Sequence, residues 1–354
     1  MSDPKPSKFL TPTGRVLPAT LLVSCLALPL MLSGLTGCGG ESGDSRVGSA
    51  ASSSTGSTPG AAGFGGPDII LPGEGGTGNG TGGTGNGSGG AGPYMLPADY
   101  TKASLGGFKL GAPIDVGSAP GAAGAPSSGC GTAILGVVRD FKGKNEMGGH
   151  PDFEAYAGRG ASMGIVKDTL GDDKKPVYNG SGPIIDAKNG QQTTSKMDFD
   201  QWYRGTKDVN KAYEVYFYFE PSNGVLTFQS NAFFPLDGKG WGNTPKWEHD
   251  FGFTTEVHTQ FNYRGKETFK FTGDDDLWVF INHKLAIDLG GLHPQESDEI
   301  SLDAQAQRLG ITIGQNYDLD LFHAERHTDQ SNFRVDTNLA FVNCGTIIQD
   351  QPVK

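Results

Sequence analysis

The chain has 354 residues, 56 of them glycine, and a formal net charge of −11. That balance, without any basic run, excludes a nucleic-acid-binding face, which needs clustered lysine and arginine. Most of the glycines fall before residue 130, so the folded part is C-terminal; roughly 220 residues remain there, enough for one all-β domain with a proper core.

Residues 1–38 read as an export signal. Lys5, Lys8 and Arg15 form a positive start, and an apolar segment from Leu17 to Leu35 follows, interrupted by Pro18 and Pro29. Cys25 lies inside it. Its end, Leu35-Thr36-Gly37-Cys38, resembles the lipobox of bacterial lipoproteins. That resemblance implies acylation of Cys38 as the mature N-terminus and a membrane partner through the lipid. Residue 39 is Gly rather than Asp, which by the same resemblance does not retain a protein at the inner membrane. The implied location is therefore exported and lipid-anchored, at the outer membrane or cell surface.

Residues 39–128 are low in complexity, with the run TGNGTGGTGNGSGGAG at their centre. Such a composition buries too little apolar surface to offset its ordering entropy. It is expected to act as a disordered tether, and about 90 residues of coil span ~50 Å.

The domain is expected over 129–346, with a short tail at 347–354. Cys130 and Cys344 stand near its two ends. In an exported protein they form a natural disulfide pair, with a loop-closure contribution of about 4–5 kcal/mol; two buried free thiols are the alternative. The run TAILGVVRDF, Thr132 to Phe141, reads as the first strand. DFDQWYR, Asp198 to Arg204, reads as a short helix capped by Asp198. Strands then follow closely: Tyr213 to Glu220, Val225 to Phe234 after an Asn223-Gly224 turn, Phe251 to Tyr263 and Glu267 to Thr272. Glu299 to Leu309 fits helix or strand. Ile311 to Ile313, Tyr317 to Phe322 and Ser331 to Phe341 complete the set. Closely spaced strands with Gly, Asn and Asp turns indicate an antiparallel β-sandwich or barrel.

Between these strands, Asp274, Asp275 and Asp276 interrupt a β pattern that resumes as LWVFI. Three adjacent carboxylates repel one another unless something positive sits among them or water screens them. A hard-cation site built from oxygen ligands is one reading; a solvated acidic turn is the other. Asn282 and Asp288 are further oxygen donors. Trp278 is expected in the core, whereas Trp241 and Trp247, in a Gly-rich loop, are candidates for stacking on a sugar face.

Taken together and in order, RDF, GHPDFE, FTGDDDLWVFINHKLAIDLGGLH and DLFHAERHTDQSNFRVDTNL resemble the fibro-slime domain, a bacterial extracellular module. It is similar in turn to the β-sandwich of the anthrax protective antigen and of yeast flocculins. The resemblance covers about Gly131 to Cys344 and implies a protective-antigen-like fold. The family norm after FIN is Gly; here it is His283. In flocculin relatives two consecutive aspartates hold calcium, and calcium holds sugar hydroxyls. The resemblance thus implies calcium at Asp274, Asp275 and Asp276, and a glycan or matrix component as ligand. The alternative at this site is a structural turn with the aspartates bonded to loop amides.

Enzymatic signatures are weak. His323-Ala324-Glu325-Arg326-His327 departs from HExxH in the placing of Glu, and Glu325 with Arg326 is expected to pair structurally. Gly160-Ala161-Ser162-Met163-Gly164 matches G-x-S-x-G without the strand and helix that a nucleophile elbow requires. The sequence therefore points to a non-enzymatic, lipid-anchored surface protein whose head binds carbohydrate or another surface component. Its rivals are a matrix module with protein partners and a carbohydrate-active or metal-dependent enzyme.

Overall fold

The computed structural model describes residues 107–115 and 132–348. The export signal with Cys25 and Cys38, most of the expected tether, and Cys130 lie outside the described residues. In chain order the elements are β1 (Phe108–Ile114), β2 (Ala133–Phe141), β3 (Ile185–Asp186), β4 (Gly190–Gln191), α1 (Lys196–Phe199), β5 (Asn210–Tyr218), β6 (Glu220–Ser222), β7 (Val225–Ser230) and β8 (Phe253–Asn262). They continue with β9 (Thr268–Gly273), β10 (Asp276–Ile281), β11 (Lys284–Leu289), β12 (Glu296–Ser301), α2 (Leu302–Leu309), β13 (Asn316–Glu325), β14 (Phe333–Thr337) and β15 (Ala340–Asn343).

Two antiparallel sheets make the sandwich. The larger runs β1-β5-β2-β8-β13-β10-β11, with β15 also paired to β8; the smaller runs β12-β9-β14-β7-β6. Their facing sides interdigitate in a core rich in phenylalanine, including Phe217, Phe228, Phe233, Phe271 and Phe333. Rings there meet mostly edge-on or tilted, as at Phe271 and Phe333, with centroids 5.0 Å apart.

A second apolar cluster covers the outer face of the larger sheet. Phe153, Phe199, Trp202 and Tyr203, from the long excursion between β2 and β5, pack on Trp278, Phe280 and Phe322. This explains why LWVFI is apolar at every position. Leu277, Val279 and Ile281 face the sandwich, Trp278 and Phe280 face the excursion, and all are buried. Charge ties the same excursion down: buried Lys175 and Arg139 both pair with Glu256 on β8, Arg139 at 2.6 Å.

Several boundaries differ from the sequence reading. Phe108–Ile114, expected within the tether, is a strand of the large sheet, because Phe108 and Leu110 reach the core and the backbone pairs with β5. Ile347, expected in the tail, packs with Leu135, Val137 and Ala212. The first helix is capped by Ser195, whose Oγ accepts the Asp198 N–H; Asp198 sits in its first turn. The ambiguous 299–309 stretch is both things in succession, the end of β12 and then α2. Ile311 to Ile313 form no strand. Cys344 is buried and disulfide-bonded.

Candidate functional site

The acidic run is the turn from β9 to β10. It is held against the loop between β13 and β14, which comes so close that a Cβ on Gly273 would lie 2.4 Å from the Asn332 carbonyl oxygen. Asp274 accepts the Asn332 main-chain N–H on Oδ1 and its side-chain amide on Oδ2, the latter at 2.8 Å. Asp275 takes a positive φ of 52° and accepts the N–H groups of Arg326 and His327 on Oδ2, at 2.8 and 3.0 Å. Asp276 accepts Gly291 N–H at 2.6 Å and the Arg326 Nε–H at 2.7 Å.

Arg326 is the positive charge that the run requires. It is fully buried, lies over the Trp202 ring at 4.5 Å, and donates to the carbonyls of Asp152 and Gln192. The expected Glu325–Arg326 pair does not form: β13 ends at Glu325, and Arg326, the first residue beyond it, turns to Asp276 instead. Glu325 is fully buried with no donor on either oxygen. Burial, then the charges of Asp275 and Asp274, hold its pKa well above the usual range. Burial likewise pushes Asp275 up to about 6, against the lowering effect of Arg326.

This arrangement does not fit a calcium ion held by all three aspartates. Asp276 has both oxygens committed, is fully buried and is already neutralised by a guanidinium. Asp274 and Asp275 spend oxygens on loop amides. Among the described residues no group of three or more His, Cys, Asp or Glu side chains is placed to hold a metal ion. The run has the form of the structural turn that was its alternative reading.

The other expected ligands scatter. Asn282 stands at the far end of β10, six residues from Asp276, or ~20 Å along a strand; its amide donates to Leu309 O at 2.9 Å. Asp288 stays near Asp276 but accepts from Gly164 N, Gly290 N and Trp278 Nε1. His283 keeps the tight turn despite replacing Gly, with φ of 63° next to Asn282 at 51°. Trp241 is not free for stacking: Lys211 and Lys142 lie over its ring at 3.8 and 4.5 Å. His323 is enclosed by Phe233, Phe253, Phe271 and Phe333, and burial lowers its pKa to about 3, so it is a neutral core residue. Ser162 lies in a loop and accepts from Asn189, with no helix behind it.

Trp247 is different. It is 46% exposed, lies edge-on to Phe251, and stands in the wall of an open groove of about 890 Å³. The groove is polar in a particular way: Gln229, Asn231, Gln295, Gln330 and Asn332 line it. A contiguous cleft shares Gln229, Asn231, Gln295 and Asn332 and extends over the outer face of the small sheet to Lys270 and Arg334. Asn332 joins groove and acidic run, since its amide is the group that Asp274 holds. The aspartates therefore fix one wall of the groove from behind. These amides come from β7, the segment before β12 and the β13–β14 loop; the only sequence signal for them is polar residues at outward positions of β7.

The larger sheet, the small sheet and the apposed turn set the terms for comparison with known proteins. Residues 190–353 match the PA14 domain. The PA14 match contains the acidic run, Arg326 and both walls of the groove, but neither β1 nor β2. Protein psiC of Dictyostelium discoideum is 38% identical over 203 residues, covering 54% of this chain and 38% of its own. Protein psiE of the same organism is 39% identical over 223 residues, covering 58% and 42%. The chain thus spans less than half the length of these curated relatives. Among solved structures, the PA14 domain of the antifreeze protein MpAFP is similar at 11% identity and a TM-score of 0.24, over 62% of this chain and 95% of that one.

Proposed function

We propose that this protein is an exported binding module, anchored through Cys38 and displayed on its Gly-rich tether, whose PA14 head takes a polyhydroxylated, glycan-type ligand. The observation that carries this reading is the groove between Trp247 and Asn332. Each carboxamide offers a donor and an acceptor side by side, which matches vicinal hydroxyls. The exposed indole offers a flat face for sugar C–H bonds. The acidic run serves by holding Asn332 in place, and the proposed binding in the groove needs no metal. The reading includes no catalytic step.

The test is a glycan array probed with the full chain, with and without a chelator, alongside Trp247→Ala. Binding that survives chelation and weakens by about tenfold in the variant is expected, equivalent to ~1.4 kcal/mol. Absence of any glycan signal from the wild-type chain defeats the proposal in favour of a matrix module with protein partners.

A further inference from the structure

A second acidic site lies at the end of the large sheet, away from the run in the β9–β10 turn. Asp140, at the end of β2, is fully buried, and Asp250, just before β8, is 1% exposed. The glycine-rich loop 238–243 folds over Asp140. Trp241 N–H donates to Asp140 Oδ2, and Gly240 approaches so closely that a Cβ there would meet that oxygen at 1.6 Å. Gly240 also has a φ of 55°, so the close approach and the backbone both call for glycine. Asp250 accepts Gly252 N–H on Oδ1 at 3.0 Å, and its own N–H donates to Asp237 at 2.9 Å.

One oxygen of each carboxylate is left over. Asp140 Oδ1 and Asp250 Oδ2 are buried and accept no hydrogen bond. Buried carboxylate oxygens without donors are rare in folded proteins and call for a proton, a water or a cation. The nearby ammonium groups do not fill the role. Lys211 donates to Gly240 O and lies over the Trp241 ring, and Lys142 donates to Met147 O. Neither hydrogen-bonds the two vacant oxygens. Asp237 and Glu146 add further negative charge to Asp250. Burial, then the charge of Asp140, hold Asp250 well above the usual carboxylate range; burial pushes Asp140 up to about 7, against the lowering effects of the Trp241 hydrogen bond and of the Lys211 and Lys142 charges.

We propose that Asp140 and Asp250 are the acidic ligands of a hard divalent cation of the calcium class, completed by main-chain oxygens of the 238–243 loop and by water. Oxygen donors from an irregular loop suit such an ion, which takes six to eight of them. Asp140 lies outside the PA14 match, so the site joins the added strand β2 to the matched region. Its role is to pin the Gly-rich loop that carries Trp241 and leads to Trp247.

Terbium is the probe, because an indole beside the site sensitises its emission. The full chain, excited at tryptophan, is expected to give saturable terbium luminescence that calcium displaces. Asp140→Asn and Asp250→Asn are each expected to weaken terbium binding at least tenfold, whereas Asp275→Asn and Trp247→Ala leave it within twofold. Calcium at a hundredfold excess over its Kd is expected to raise the wild-type Tm by roughly 5 °C, reversibly with chelator. No emission with wild-type protein, emission that survives both Asn variants, or loss of emission in Asp275→Asn overturns the proposal. So does a wild-type Tm that calcium leaves unmoved, a readout that does not depend on any variant folding. The Trp247→Ala arm separates this site from the groove, since either fails without the other.

Discussion

Two acidic sites in this molecule solve the same problem differently. At Asp274–Asp276 every carboxylate is met by the protein: Asn332 for Asp274, loop N–H groups for Asp275, Arg326 for Asp276. At Asp140 and Asp250 the donors run out with one oxygen of each still bare. Adjacent acids draw the eye in a sequence, but adjacency is where a fold most easily supplies a partner, because one loop can reach all three. The unmet oxygens sit where two segments distant in sequence each bring one carboxylate, and the ammonium groups nearby, Lys142 and Lys211, bond other acceptors.

The sharpest way to break the comparison is to remove the counter-charge from the satisfied site. Arg326→Ala leaves Asp276 buried and uncompensated, and removes the donors to Asp152 and Gln192. The expected loss is about 3–5 kcal/mol in urea unfolding of the full chain. Arg326→Lys keeps the charge but not the planar fork, and is expected to recover only part of it. A loss below ~1 kcal/mol in Arg326→Ala means that something else neutralises the aspartates, and the contrast between the two sites disappears.

A smaller effect separates them by pH. Burial raises Asp140 from 3.8 to about 7 in the folded protein. A raised carboxyl pKa means that the folded state holds a proton the unfolded state has released. Its contribution is fully present below about pH 4 and is lost as the pH rises through 7. At ~1.4 kcal/mol per pKa unit the upper bound is about 4 kcal/mol. In chelator, wild type is therefore expected to lose more stability between pH 4 and 7.5 than Asp140→Asn does, by about 2–4 kcal/mol. Calcium is expected to remove that difference. Asp275, raised to about 6, contributes a slope of the same sign that calcium does not alter. Equal slopes for wild type and Asp140→Asn in chelator would count against a charge deficit at Asp140.

How far these features were legible in the sequence follows from range. The β-sandwich was legible because alternation is local, and LWVFI was legible as an apolar strand; its burial on both faces depends on the excursion that packs over Trp278 and Phe280. The acidic run was legible as a special turn, but Arg326 stands 50 residues from Asp276 in sequence and nothing in either segment names the other. Glu325 and Arg326 looked like a pair because they are adjacent, although the strand ends between them and Arg326 turns to Asp276. The strand Phe108–Ile114 was hidden by the Gly-rich composition around it; its two apolar anchors gain their value only against a core that comes later in the chain. The groove was the least visible part, since its amides are ordinary surface residues until three segments bring them together.

The mildest test uses the strand that carries the satisfied site. β10 begins at Asp276 and ends in the Asn282–His283 turn, ~20 Å away. His283 holds a φ of 63°, a conformation that costs a non-glycine residue about 1 kcal/mol. Its contact with Asp318, at 3.3 Å and half exposed, returns little of that. His283→Gly is therefore expected to stabilise the chain by about 0.5–1 kcal/mol, a Tm gain of ~2–4 °C. Because the turn and the acidic run share no partners, the gain is expected to add to the loss in Arg326→Ala within ~0.5 kcal/mol. Non-additivity would mean that the turn and the run act as one unit along β10, and that the neutralised site extends further than the hydrogen bonds around Arg326.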